Sequence, residues 1–207
     1  MEAMIVSLDP ATHVTGYAVH VIDRMEGDPP VGIFRLSQYG LIEGSNVDKE
    51  SKLFDLNMRC LEINSKLRYM IVNLKPTNLV LEFPEYQPRR KSEMPTSRQV
   101  EAVRQLAFLC GKIVTGWELY MYSIGETVGV HLPMPALITP TEWKGQLSKE
   151  MTAERCLKQY GIVPTDSKSH NFIDAIMIGD YYIKDVMKYK VCNFGDSNTA
   201  NRRIDLE

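Results

Sequence analysis

Apolar positions come first in short runs and then in helical stripes. Met4-Ile5-Val6-Ser7-Leu8 reads as a buried strand, and Asp9-Pro10 ends it because proline cannot donate to a ladder. Residues 14–22 predict a second strand, with Gly16 permitting a close backbone approach. A Gly/Pro-containing loop over 26–30 leads to a third strand over 31–42, giving an antiparallel meander. Leu53, Leu56, Cys60, Ile63, Leu67, Met70 and Leu74 then repeat every three or four residues, the stripe of a long amphipathic helix that Pro76 stops. Residues 78–81 predict a short strand closed by Glu82 and Pro84. Val100, Val103, Ala107, Cys110, Val114 and Trp117 mark a second long helix, and residues 128–132 are read as a fifth strand. Two short helices follow, near Pro140 and Thr152, with Thr141 and Ser148 as candidate caps. The last helix, over about 171–188, is apolar on most sides and is expected to be buried. Strands interleaved with long helices predict an α/β protein, one sheet with helices on its faces. The expected organisation is a single domain over 1–190 and a polar tail over 191–207.

Composition narrows the class. Apolar residues are 44% and charged residues 24%, an ordinary globular balance. The formal net charge is -2, so a nucleic-acid surface has to be local rather than global. Cys60, Cys110, Cys156 and Cys192 lie far apart without metal-ligand spacing, which favours reduced thiols and a cytoplasmic protein. The apolar run at residues 3–8 is too short for a secretory leader, and no stretch approaches the roughly 20 apolar residues of a membrane span.

Three acids stand in apolar company. Asp9 closes one strand, Glu82 closes another, and Asp174 lies between Ile173 and Ala175 in the last helix. A buried carboxylate is costly unless paired or bound to metal. Ligand sites of open α/β sheets form at the carboxyl ends of strands, so Asp9 and Glu82 meet there if their strands are parallel neighbours. Asp174 completes the cluster if the last helix crosses that end, with His170 and Asn171 one turn earlier. Oxygen-rich sites of this kind suit Mg²⁺, with Mn²⁺ as a substitute, and support phosphodiester hydrolysis. Each residue also has a plainer reading: Asp9 as a turn former, Glu82 as an ion-pair partner, Asn171 as a helix cap, His170 as a surface group and Glu85 as a solvated loop acid.

The residues resemble a known family. The stretch Ile5-Val6-Ser7-Leu8-Asp9-Pro10-Ala11-Thr12-His13-Val14-Thr15-Gly16-Tyr17-Ala18-Val19 resembles the opening strand, acid, turn and second strand of RuvC-type Holliday-junction resolvases. Val80-Leu81-Glu82 resembles their second acidic motif. Pro140-Thr141-Glu142-Trp143-Lys144 through Lys149 resembles the stretch before their final helix, and Asn171-Phe172-Ile173-Asp174-Ala175-Ile176 resembles their last motif. The resemblance spans about residues 4–185 in the family's order. It implies a ribonuclease H-like fold: a five-stranded mixed sheet with three antiparallel N-terminal strands, two parallel ones, and the first and fourth strands parallel neighbours. It further implies a homodimer that binds four-way DNA junctions and cuts two strands, with Asp9, Glu82 and Asp174 as metal ligands. The family places an Asp or His three residues before the final Asp; here Asn171 takes that place and His170 is one residue off register. These departures and the compact form resemble phage-encoded members, whose location is the host cytoplasm.

Phosphate contacts need clustered cations. Residues 85–104 carry five basic residues, among them Arg89, Arg90, Lys91 and Arg98, against three acids. Residues 144–158 carry four, including Lys144 and Lys149, against two. Phe83 and Tyr86 in the first stretch are candidates to stack on an unpaired base, with Phe83 equally read as core. The expected activity is therefore a Mg²⁺-dependent, structure-selective endonuclease. The alternatives are a broader nuclease acting on branched DNA or RNA/DNA hybrids, and a nucleic-acid-binding protein whose chemistry has decayed. An actin-like kinase, which shares an Asp near Thr and Gly after its first strand, needs a second phosphate motif that the sequence lacks.

Overall fold

The computed structural model describes residues 3–24, 31–45, 52–86, 95–128, 134–191 and 202–203. The N-terminal meander forms as the alternation requires: β1 (Ala3–Asp9), β2 (Val14–Arg24) and β3 (Val31–Glu43) pair antiparallel in sequence order. Helix α1 (Lys52–Leu74) crosses over to β4 (Asn78–Glu82), which pairs parallel to β1 on its other side. Helix α2 (Ser97–Val128) leads to β5 (Ala136–Ile138), parallel to β4. The five main strands thus run β5-β4-β1-β2-β3, the mixed sheet with two parallel pairs expected from the resemblance. Two-residue strands β6 (Lys190–Val191) and β7 (Arg202–Arg203) both add to β3, so the chain returns to this edge beyond residue 190.

The fifth strand differs from expectation. Val128 is still helical and the strand is Ala136–Ile138, while residues 129–133 lie outside the described ones. Pairing with β4 selects the segment from Ala136 onward.

The sheet's two faces are covered differently. Val6 and Leu8 of β1, Tyr17 and Val19 of β2, and Leu79 and Leu81 of β4 pack against α1 and α2. Residues of the other parity, Ile5, Ile22 and Val80, face α5 (His170–Tyr181), joined there by Ile178. The short helix α3 (Pro140–Trp143) and α4 (Lys149–Tyr160) lie on this second face, through Trp143 and Cys156. Ser148 caps α4, its hydroxyl accepting from the Met151 N–H at 3.3 Å. Helix α5 buries Phe172, Ile173, Ala175, Ile176 and Ile178, each worth about 1.5–3 kcal/mol for the larger side chains. It ends in a π-helical turn over Tyr182–Val186.

Two glycines let α5 sit this close. A Cβ on Gly16 would lie 2.0 Å from the Asn171 carbonyl oxygen, and one on Gly179 would lie 2.4 Å from the His20 ring. His20 itself is fully buried, with neither ring nitrogen hydrogen-bonded among the described residues. Burial pushes its pKa down to about 4, against a weaker upward pull from Asp180 and aided by Lys184. An unfolded chain binds this proton near pH 6.5 and the folded chain does not until about pH 4. Stability is therefore complete above about pH 6.5 and falls as the pH drops through that window, by at most about 3 kcal/mol. Denaturant unfolding from pH 7 to 4 should show this slope in the native protein and a flatter one in His20→Leu. Equal slopes would remove His20 as the cause.

Candidate active site

The site begins with register. Leu8 of β1 pairs with Leu81 of β4, so Asp9 and Glu82 are the next residues on two parallel neighbouring strands, whose backbones run about 4.8 Å apart. Both continue the parity of Ile5, Ser7 and Val80, and so point to the α5 face. Asp174 is buried on α5, the helix that makes most of its strand contacts with β1 and β2. Asp9 and Glu82 both sense charge on their neighbours. Asp9 is held well above the ordinary carboxylate range, first by burial and then by the charges of Glu82 and Asp174. Glu82 is raised too, chiefly by burial, with Asp174 adding to it.

Cations and one indole offset this repulsion. Lys144, directly after α3, places Nζ 3.2 Å from Asp174 Oδ2, and its charge pulls Asp9 and Glu82 downward. Lys149, exposed at the start of α4, does the same to both acids more weakly. Trp143 Nε1–H donates to Glu82 Oε2 at 2.6 Å. The Cys110 thiol packs behind the site, 3.7 Å from the Glu82 carbonyl oxygen, and burial pushes it up to about 12, which keeps it a neutral, inert group.

The remaining candidates fall in different places. Asn171 is the second residue of α5, not its cap, and its Nδ2 donates to the Val14 carbonyl at 2.6 Å. Its amide therefore ties α5 to the start of β2. His170 opens α5, and its Nδ1 is buried without a hydrogen-bond partner among the described residues. Glu85 is exposed and accepts from the Thr141 hydroxyl at 2.6 Å. Phe83 is half-buried against the core under α1 and α2, whereas Tyr86 is half-buried on the loop beyond β4. Arg98 is exposed in the first turn of α2, and Arg89, Arg90 and Lys91 lie outside the described residues. Sequence reasoning missed the contact of Trp143 with Glu82 and assigned Lys144 to DNA alone. The signal was there in the adjacency of the two residues after Pro140, but not the direction in which that short helix points.

A divalent ion suits this donor set in type and charge. Three carboxylates share one rim of the sheet, two of them unfavourably ionised without a cation, and a lysine ammonium already stands against the third. In the side-chain positions seen here, no three His, Cys, Asp or Glu side chains among the described residues lie close enough to share an ion. Lys144, paired with Asp174, would have to yield before that acid could take an ion.

The fold is that of RuvC. The chain aligns with the Thermus thermophilus RuvC structure at a TM-score of 0.51 and 14% identity, covering 89% of this chain and 97% of that one. The T. thermophilus RuvC in complex with a Holliday junction substrate gives a TM-score of 0.54, 14% identity, and coverage of 88% and 95%. The yeast mitochondrial Holliday junction resolvase Ydc2 gives 0.51, 10% identity, and coverage of 88% and 78%. No protein-family model matches the sequence, and no curated protein matches it significantly. Among the described residues, no helix is long and apolar enough to cross a membrane.

Proposed function

We propose that this chain is a divalent-metal-dependent endonuclease that cleaves four-way DNA junctions. What supports this reading is that Asp9 and Glu82 close the parallel neighbours β1 and β4, and that Asp9 feels the charges of Glu82 and Asp174, inside a RuvC-like fold. In the mechanism proposed, Asp9, Glu82 and Asp174 would hold Mg²⁺ or Mn²⁺, which would supply Lewis-acid activation of water and neutralise charge on the scissile phosphate. Trp143 and the β1–β4 pairing orient the acids, and the apolar floor of Val80, Ile138 and Ile178 limits water to the rim. Asn171 Oδ1 and His170 Nδ1, neither hydrogen-bonded among the described residues, are the two candidates for a fourth ligand.

Lys149 and, once it has left Asp174, Lys144 sit beside the acids and suit the flanking phosphates. Arg98 and the Arg89-Arg90-Lys91 run extend the same basic stretch in sequence, and Tyr86 is the candidate base-stacking residue. Two symmetric cuts require two copies of this single site, so the working unit proposed is a homodimer.

The Lys144–Asp174 ion pair favours one competing reading, a junction-binding protein that does not cleave. A synthetic immobile junction, incubated with and without Mg²⁺ beside flap and hybrid substrates, separates the readings. The expected result is Mg²⁺-dependent, paired cuts near the crossover. Binding without any product would leave the non-cleaving reading, and equal cutting of flaps or hybrids the broader nuclease.

A further inference from the structure

Trp143 spends its one polar atom on the site. Indole has a single donor and no acceptor, and here that donor makes a short, charge-assisted bond of 2.6 Å to Glu82 Oε2. The ring is otherwise buried beside Val80 and Ile138, a position that packing alone would fill with phenylalanine or leucine. The same ring carries the Lys144 ammonium, 5.1 Å from its centroid, and that ammonium reaches Asp174. One side chain thus orders two acids that come from different elements.

The support under Trp143 is stiff. Pro140 occupies the first turn of α3, and the Glu142 carboxylate accepts from the Thr139 N–H at 2.6 Å and its hydroxyl at 2.9 Å. Thr141 bonds Glu85, which lies three residues beyond Glu82, so α3 is fixed to the chain leaving β4 at two points.

We propose that Trp143 is a positioning residue that presents Glu82 to the cation, an inference that rests on the metal-dependent reading above. With Oε2 held by the indole, Glu82 offers Oε1, which has no hydrogen bond among the described residues, as its ligand oxygen. A glutamate free to rotate would have to be ordered at the moment of binding, at a cost in side-chain entropy. Losing an outer partner of this kind weakens metal affinity by about 10–100-fold.

The test is replacement of Trp143 by β-(3-benzothienyl)alanine, in which sulfur stands where the N–H was and the shape is kept. Trp143→Phe serves as the smaller ring, and Mn²⁺ affinity is measured by calorimetry alongside the native protein and Asp9→Asn. Both Trp143 replacements should bind Mn²⁺ at least about 10-fold more weakly. The benzothienyl form should stay folded in chelator, as circular dichroism reports, with a melting temperature lowered by the lost hydrogen bond to Glu82. In cleavage, its defect should appear as a higher metal requirement, restored by excess Mn²⁺. Native Mn²⁺ affinity in the benzothienyl form, with binding lost in Asp9→Asn, would overturn the role of Trp143 and leave the metal site standing. Equal Mn²⁺ binding by the native protein and Asp9→Asn would instead sink the metal site itself, and this inference with it.

Discussion

Asp9→Asn should leave junction binding unchanged and lower cleavage by at least about 10³-fold, because a ligand that contributes several kcal/mol of charge stabilisation is replaced by a neutral one of the same shape. The same variant should melt higher than the native protein when no divalent ion is present. Burial, Glu82 and Asp174 hold the Asp9 carboxyl well above its ordinary value. The folded chain therefore keeps a proton that the unfolded chain releases, and stability falls as pH rises from the ordinary carboxylate range through the raised value. Asparagine removes that loss. Addition of Mg²⁺ should reverse the order, stabilising the native protein and not the variant. Full cleavage by Asp9→Asn, or a melting temperature insensitive to both chelator and substitution, would refute the assignment of Asp9.

Gly16→Ala should cost about 3 kcal/mol or more, among the largest effects of a single methyl group in this chain. The added carbon would stand 2.0 Å from the Asn171 carbonyl oxygen, 2.2 Å from its carbon and 2.6 Å from the Phe172 nitrogen. All three are backbone atoms at the start of α5, which no rotamer change can move, so overpacking here must shift the helix. That shift would break the Asn171–Val14 hydrogen bond and carry Asp174 away from Asp9. Urea unfolding should report the loss, and residual folded protein should bind Mn²⁺ poorly. A native midpoint in Gly16→Ala would show that α5 is free to back away, and that the approach at Gly16 is not what sets the site.

Much of this was legible in the chain. The apolar run from Met4 to Leu8 specifies a strand buried on both faces, and the stripe from Leu53 to Leu74 a helix buried on one. The acids at 9, 82 and 174 were conspicuous because ionised groups are costly in apolar runs. Gly16 stood out as a place of close approach. The strand Ala136–Ile138 went unread because three paired residues carry almost no periodicity of their own; their partner β4 defines them. Trp143 was overlooked because an indole beside a proline-capped turn looks like core, and its hydrogen bond depends on where α3 points.

Sequence alone determined most of the elements, the order of the motifs and which side chains are chemically out of place, since local periodicity and the cost of burying charge act on neighbours in the chain. Tertiary structure alone decided which of those acids face one another, which cation stands against them and which donor holds Glu82. These contacts join residues 9, 82, 143, 144 and 174 across the sheet, and only the β1–β4 register and the approach of α5 over Gly16 bring them within electrostatic reach.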